Sequence, residues 1–591
     1  MSTSKRSTFA ALALGLSLVA AACGSDKAAV STPTNKPATE ATDAVTTPTD
    51  AGTVTTDSTP GDSTPSTDSG TATSEPAGVT GDPKMVITYD INPDAVWDDG
   101  SPITVADFEC LRSATMTTPG SLSTAGYDKI LSIEAGTSDK QVVVTLNDTY
   151  APYKSLFAGL IKADAMDDCA DVSESFDGGI PFSGREWKID SWSAEQLVYV
   201  PNDAYWGERK PLVGKVVVVP AEDGATALKA GSIDFAYPQF FQGLDEEVAD
   251  PNVALARANG GDFEGLYFQQ KEGPFADPIY REAFSRSIDR DALFAQIYAP
   301  FAGDIPLLNC GPIVPGKYCS DAFADQYDPA AADKLLTDAG WKKGADGFWA
   351  DSSGTVPEIR WMINTGNTRR ESTQNYLIPL LAASGFKVKA DNCEALPCVF
   401  ETRLPALDYD LAMFINTVAP DPSYLITYTC AQIPSPENDN KGQNTIGWCN
   451  EEASAMLEEA DITVDEVARA TLVKDALKLM ASDFAMVPLF QFPKAGAHRT
   501  DRVDNTDGQL NNYRAFNDFY QWKDLDGDGQ IVIGAEQFPT SDCANPITEC
   551  ANSSWYVWVV ANPILPWAYD TTETGYEVTD LLTGDAKVEI L

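Results

Sequence analysis

From Lys188 to Val200 apolar and polar residues alternate, a period of two that predicts a strand pair, and Pro201-Asn202-Asp203 breaks the run where a turn is expected. Tyr205-Trp206-Gly207 then sets two large aromatics before a residue that tolerates positive φ. Val216 to Val219 is an unbroken β-branched run, the pattern of a strand buried on both faces, and Asp223 to Lys229 predicts a short helix ending at Gly231, followed by a strand at Ile233-Asp234-Phe235. Upstream, Met85 to Thr104 alternates as a strand, turns at Asn92-Pro93, presents Trp97 and reaches an Asp98-Asp99-Gly100 turn, after which Thr104 caps a helix from Val105. Downstream, Leu266 to Tyr298 reads as a strand and loop leading into an amphipathic helix. Glu358 to Asn364, Thr373 to Ser384 and Phe386 to Val388 give strand, helix and strand, the βαβ pattern of an α/β lobe. Two helices over Glu452–Asp461 and Thr463–Ser482, then strands at Val487–Phe490 and Gln530–Glu536, complete the pattern.

The first 81 residues read differently. Lys5 and Arg6 precede the apolar run Phe9 to Ala22, too short to span a membrane comfortably and shaped as a secretory signal. Small residues then lead to Cys23, an arrangement that resembles the bacterial lipobox and implies a diacylated cysteine; an ordinary cleavage site beside an incidental cysteine is the plainer alternative. Residues 1–22 are therefore expected to be a signal peptide. Ser25 to about Gly81 is Ser, Thr, Pro, Ala, Gly and Asp with almost nothing to bury, so residues 23–81 are read as a lipidated cysteine and a flexible tether.

Composition narrows the function classes. A chain of 591 residues, 43% hydrophobic, has enough core for two or three domains. Its 41 Lys and Arg against 87 Asp and Glu give a net charge of −46, which argues against nucleic acid and anionic membrane surfaces as partners. His498 is the single histidine, so Ser-His-Asp, Cys-His, HExxH and polyhistidine metal schemes are unavailable or nearly so. Of 11 cysteines, Cys23 leaves ten, an even number in an exported protein. Local spacing suggests Cys310 with Cys319, Cys393 with Cys398, Cys430 with Cys449 and Cys543 with Cys550, leaving Cys110 with Cys169, and no CxxC points to zinc.

The segment Trp187-Lys188-Ile189, Trp192, Asn202, Tyr205-Trp206-Gly207, Ala227-Leu228 and Gly231-Ser232-Ile233-Asp234 resembles the family 5 extracellular solute-binding proteins of ABC importers, the oligopeptide and dipeptide binding group. Trp97, Asp99, Gly100, Pro102, Thr104, Asp107 and Phe108 match a second family segment; Arg281, Ala283, Ile288, Asp289 and Arg290 match a third; Asp410, Asp421, Pro422, Tyr424 and Leu425 match a fourth. The resemblance implies an α/β, two-lobed periplasmic-binding-protein fold of the large peptide-binder type with an extra subdomain, which binds a solute and does not transform it. One departure matters. In peptide-binding members an aspartate shortly before the Asp-Pro pair holds the ligand's α-amino group; Val418 stands there, and a buried ammonium without an acid lacks its charge partner. Asp421 substitutes only if the loop shifts, and its simpler role is a turn residue before Pro422.

The order of segments also departs. Gln530 to Glu536, the aromatic run Trp555-Tyr556-Val557-Trp558 and Thr579 to Thr583 resemble how relatives begin, whereas only tether precedes Met85. A circularly permuted fold is expected, because domain termini often lie close together; a second, truncated copy would require an opening segment near residue 82. The expected division is residues 82–178 as a subdomain of lobe one completed by 563–591, lobe one over 179–262, 488–523 and 530–562, lobe two over 263–487, and an acidic loop at 524–529 where the permuted pieces join. In that loop Asp524, Asp526 and Asp528, with the Gln530 carbonyl, have the spacing of an EF-hand-type Ca²⁺ loop, although Ala535 stands where the bidentate Glu belongs and Glu536 comes one residue late. A metal-free polar turn fits the residues equally, and no cofactor is required.

Family position and chemistry together nominate Phe268, Gln269, Phe414, Asn416, Asp421, Tyr424, Trp448, Trp555, Tyr556 and Trp558 as ligand-binding candidates, each more often core than contact when taken singly. The expected partners are a peptide or other small solute, an ABC permease and, through the lipid anchor, the extracellular face of the cell membrane, with a monomeric protein. A surface sensor or adhesin on the same fold, and a carboxylate-based hydrolase, are the alternatives; nothing in the sequence singles out a catalytic acid pair.

Overall fold

The computed structural model describes residues 79–121, 124–221, 223–237, 243–299, 307–418, 421–438, 442–506, 516–535, 538, 541, 544–548, 559–572 and 575–591. Its two main sheets are built from β1 (Met85–Asp90), β2 (Ile130–Ala135), β3 (Gln141–Leu146), β4 (Trp187–Trp192), β5 (Leu197–Pro201), β6 (Val216–Pro220), β7 (Phe235–Ala236) and β8 (Val253–Phe268), then β9 (Glu358–Met362), β10 (Lys387–Ala390), β11 (Leu411–Thr417), β12 (Met486–Arg499), β13 (Ile531–Ala535) and β14 (Lys587–Ile590). The subdomain sheet has the order β2-β3-β1-β14, and a ten-stranded sheet runs β10-β9-β11-β8-β12-β7-β13-β6-β5-β4 through both lobes.

Local chemistry accounts for the elements around the opening motifs. Helix α1 (Val105–Thr117) starts in a capping box: the Thr104 N–H donates to Asp107 Oδ2 at 2.8 Å, and the Thr104 side chain accepts in return. Helix α2 (Gly224–Ala230) is capped by Asp223, whose side chain accepts from Thr226 N–H, and ends where Gly231 turns to φ 70°. Helix α3 (Pro278–Arg286) opens on Pro278 after the Asp277 cap.

Four expectations shift. Helix α4 (Thr368–Ala383) starts five residues before the expected Thr373, because Asn367 caps it and its first turn is too polar for periodicity to reveal. Helix α5 (Glu451–Ile462) is followed by α6 (Glu466–Ser482), not a helix from Thr463; the Asp465 carboxylate takes the Val467 and Ala468 N–H groups, so residues 463–465 form a turn. The strand expected at Ile233 is confined to β7. The strand expected at Val487–Phe490 extends to Arg499, since register shifts between Pro488 and Phe490 and between Phe492 and Pro493 absorb two prolines that lack a ladder donor.

β8 and β12 pair along most of their lengths and pass from one lobe to the other. Around them lie three apolar cores. Trp97, Phe108, Phe157, Trp187 and Trp522 belong to the core shared by subdomain and lobe one. On one face of the sheet a core runs from Leu228 and Leu244 to Phe268, Phe284 and Trp361, and on the other face lie Tyr267, Phe414, Trp448 and Met480. Neighbours Tyr267 and Phe268 fall in different cores because successive side chains on a strand point to opposite faces.

The tail is built into these layers. β13 lies between β7 and β6, parallel to both, with Ile531 opposite Val216. β14 is antiparallel to β1, with Met85 opposite Ile590, and the Leu591 N–H donates to the Lys84 carbonyl at 2.8 Å. Tyr205 of the aromatic motif donates its hydroxyl to Asp580 Oδ2 at 2.6 Å, and Tyr199 donates to the Val560 carbonyl. Disulfides join Cys110 to Cys169, Cys310 to Cys319, Cys393 to Cys398 and Cys430 to Cys449, as the spacing suggested. Cys23, Cys543 and Cys550 lie outside the described residues. Among the described residues no helix is long and apolar enough to cross a membrane.

Candidate functional site

The nominated residues divide into two groups. Phe268 ends β8 with its ring in a core, 4.6 Å from the Phe275 ring. Gln269, one residue on, folds back as a turn, its Oε1 accepting from the Lys271 and Glu272 N–H groups. On the other face Phe414 stacks on Tyr267 at 4.1 Å, and Asn416 Nδ2 donates to the Tyr267 hydroxyl at 2.8 Å. Tyr424 and Trp448 share that core; the Tyr424 hydroxyl donates to the Pro312 carbonyl, and the Trp448 indole donates to Asp483. The structure thus gathers Phe414, Asn416, Tyr424 and Trp448 on one side of the lobe-two sheet and sets Phe268 on the other. Trp555, Tyr556 and Trp558 lie outside the described residues.

Val418 is buried in the same core as Tyr424, its N–H donating to the Gly261 carbonyl. Asp421 caps the turn that begins at Pro422, accepting from Ser423 N–H at 2.9 Å, and its two oxygens receive Arg469 Nη1 and Nη2 at 2.6 and 2.8 Å. Its charge is therefore matched by a fork-on-fork pair inside the protein. Arg469 is 48 residues away on α6, and nothing in the sequence announces the pairing.

Beside this pair a cavity of about 270 Å³ opens between lobe two and the hairpin Tyr569–Thr572/Gly575–Val578. Lys154, Thr572 and Tyr576 stand on one wall and Lys317, Tyr318 and Asp421 on the other. Lys317 pairs with Glu466 at 3.2 Å at the rim, and Lys154 with Asp585 at 3.1 Å. Next to it Asp461, at the C-terminal end of α5, is buried with its carboxylate 4.0 Å from Arg469 Nη2. Burial pushes its acid up to about 6; Arg469 opposes the shift, Asp421 adds to it, and Lys129 of the subdomain opposes it weakly.

A second buried cluster was missed as well. Glu264 on β8 receives Arg369 at 3.0 Å and Arg370 at 2.8 Å, and Arg370 also donates to Asn364. Here the sequence did carry a signal: two arginines in the first turn of α4 oppose the helix dipole and so call for a buried acid.

In the acidic loop, carboxylate oxygens of Asp524, Asp526 and Asp528 lie within 4.8 Å of one another. Asp524 is turned inward to the loop, accepting from the Gly527 and Gly529 N–H groups at 2.7 and 2.8 Å, and Gln530 donates its own N–H to Asp528. Glu536 lies outside the described residues. Three convergent carboxylates on a turn with Gly527 at φ 79° suit a hard cation with oxygen ligands.

The family model for bacterial extracellular solute-binding proteins, family 5, matches residues 70–434, more than half of the 591-residue chain. Among curated proteins, the chain is 26% identical over 304 residues to the oligopeptide-binding protein OppA of Mycobacterium tuberculosis, covering 49% of this chain and 51% of that one, so it spans about half the length of this relative. Among solved structures, the periplasmic EDTA-binding protein EppA superposes with a TM-score of 0.62 at 22% identity, covering 72% of this chain and 82% of that one. The oligopeptide-binding protein AppA of Bacillus subtilis, in complex with a nonapeptide, superposes with a TM-score of 0.54 at 19% identity over 74% and 87%. These likenesses fix the fold as the two-lobed one, and the match over the middle of the chain fixes the family: the protein belongs to the family 5 bacterial extracellular solute-binding proteins.

Proposed function

We propose that the chain is the substrate-binding component of an ABC importer, tethered at the outer face of the cell membrane through lipidated Cys23, and that it closes two lobes over a peptide or another small solute and presents it to the membrane permease. The observation that carries this is the pair of long strands, β8 and β12, that join the two parts of the sheet in a chain of this family; a two-strand connection of this kind lets lobes hinge about a bound solute. The protein binds and releases; it is not read as an enzyme.

The solute is not held through a free α-ammonium at the position relatives use. Val418 is apolar and buried, and Asp421 is already matched by Arg469, so an incoming ammonium finds no unspent acid at either place. Mass spectrometry of small molecules that copurify with the folded protein identifies the class. If peptides are among them, N-acetylated and free forms are expected to bind with the same affinity in calorimetry; a loss of tenfold or more on acetylation would overturn this part of the reading.

We infer in addition that the fold is circularly permuted. Its support is that β14 and β1 are antiparallel neighbours whose adjoining ends, Leu591 and Lys84, are hydrogen-bonded, the arrangement of a hairpin opened at its turn. The acidic loop Asp524–Gly529 would then brace the join, with Ca²⁺ as its occupant. A relinked chain that joins Leu591 to Lys84 through a short turn and opens between Gly527 and Asp528 should fold with a melting temperature within a few degrees of the parent. Recovery only as aggregate would count against the permutation.

A further inference from the structure

Subdomain and lobe two meet at the turn between α5 and α6. Val464 in that turn packs against the subdomain core, the Ala151 N–H donates to the Asp461 carbonyl at 3.0 Å, and the polar cavity beside them takes one wall from each side. These contacts cross from the subdomain to lobe two. They also enclose an uneven set of charges. Arg469 is spent on Asp421 through both Nη atoms and on the Ala460 carbonyl through Nε at 2.9 Å. Asp461 is left 4.0 Å from the nearest guanidinium nitrogen, and its Oδ1 is buried without a hydrogen-bond partner. Facing it from the subdomain are Tyr150, a phenol kept neutral by burial, and Lys129, whose ammonium is shared with Asp148 at 3.7 Å. From lobe two, among the described residues, it faces the charged groups Asp421 and Arg469. Two carboxylates and one shared guanidinium are thus closed under an apolar and phenolic cover.

We propose that Asp461 is a proton-operated latch between the lobes: closing covers its carboxyl with Tyr150 and Ala151 where no full counter-charge reaches it, so closure takes up a proton and the closed form gains on the open one as the medium acidifies. The proposal rests on the two-lobed hinge but not on any ligand. In the closed form burial holds the acid at about 6, whereas opening removes the subdomain's cover and returns it toward the ordinary carboxylate range. Between those two values the closed form binds more protons than the open form, so falling pH favours closure, from about 6 down to about 4, and nothing changes above about 7. The closed-to-open ratio should rise on the order of 50-fold between pH 7 and pH 4. In an acidified surrounding the clamp would therefore shut more readily and release its cargo more slowly.

The test uses the full mature chain, free of ligand, with spin labels on two exposed positions, Thr137→Cys in the subdomain and Thr471→Cys on α6, and pulsed electron–electron distance measurement from pH 8 to pH 4. The parent should show two distances whose ratio titrates toward the shorter. Asp461→Asn, which carries no charge at any pH, should show mainly the short distance throughout. Lys129→Met, which removes the subdomain cation that favours ionised Asp461, should move the midpoint upward. Two distances in a ratio indifferent to pH, or Asp461→Asn titrating as the parent does, would overturn the latch while leaving the hinge intact; a single distance at every pH would overturn both latch and hinge. Should Asp461→Asn fail to fold, the parent titration and Lys129→Met carry the test.

Discussion

Two buried charge clusters, one where lobe one and the subdomain share a core and one where the subdomain meets lobe two, use the same residue types to opposite effect. In the first, Arg185 reaches Asp570 at 3.2 Å and Asn517 at 2.8 Å, Arg209 reaches Asp570 at 3.0 Å, and Glu186 lies 3.4 Å from Arg185: two cations and two acids. Burial pushes the Asp570 acid up, but the two guanidiniums outweigh it and hold the acid below its ordinary range. Glu186, wholly buried, is held above its range because burial outweighs the same arginines. Glu186 is wholly buried next to Trp187 of the core that lobe one and the subdomain share, so its proton is expected to report unfolding. Asp461 in the second cluster is raised for the same reason, yet part of its cover belongs to another lobe. The size of a shift says how strongly a proton is held; where the covering atoms sit says which motion the proton reports.

The largest break in this comparison is Asp570→Ala. It leaves buried Arg185 and half-buried Arg209 without their common acid, a change of the kind that costs about 3–5 kcal/mol, and it removes the ion pairs that tie the tail hairpin to both arginines. Denaturant unfolding should show the loss at every pH from 5 to 8, and a loss under about 1 kcal/mol would mean that the cluster does not hold the tail. Asp461→Asn should act in the opposite direction. An acid raised from 3.8 to about 6 is one whose folded state binds the extra proton, so the parent is favoured below the lower value and loses that contribution as pH rises through the upper one. Removing the charge should recover on the order of 2–3 kcal/mol at pH 7.5 and almost nothing at pH 3.5. Equal changes at both pH values would show that Asp461 is not the titrating group.

Tyr205→Phe sharpens the same comparison at a single contact. Tyr205 donates to Asp580 across the seam between the aromatic motif and the tail, and deleting the hydroxyl should cost about 1–2 kcal/mol in the same unfolding experiment. That seam also marks how far the sequence could be read. The Tyr205-Trp206-Gly207 motif and the late Thr579–Thr583 segment were recognisable as parts of the fold because each carries local turn and aromatic signals. That they touch followed only from the order of segments. The alternating strands and the caps at Thr104 and Asp223 were legible because periodicity and capping are local. The start of α4 was not, since a polar first turn carries no period. Among site residues, Phe414, Asn416, Tyr424 and Trp448 do assemble, but burial alone does not separate core from contact. Arg469 and Asp461 were invisible: Arg469 matters through Asp421, 48 residues back, and Asp461 through its cover at Tyr150 and Ala151, in a distant part of the chain, whereas a lone Arg or Asp on a helix usually faces solvent.

The acidic loop supplies a third term, an all-acid cluster on the surface, and the smallest expected effect. Asp524, Asp526 and Asp528 crowd like charges as closely as any buried set here, with one arginine, Arg502, at 3.6 Å from Asp526. Water screens them: at about 4 Å two charges in bulk water interact by only about 1 kcal/mol, so the crowding is tolerated without a counter-ion. Adding millimolar Ca²⁺ should therefore stabilise the protein by no more than about 1–2 kcal/mol, the yield of a weak oxygen-ligand site at a few times its dissociation constant. Asp526→Asn, which spares the turn bonds made by Asp524, should abolish that increment while changing the calcium-free stability by less than about 0.5 kcal/mol. An increment that persists in Asp526→Asn would place the calcium elsewhere. No increment in the parent would make the loop a polar turn whose acids differ from Asp461 only in having water for a neighbour.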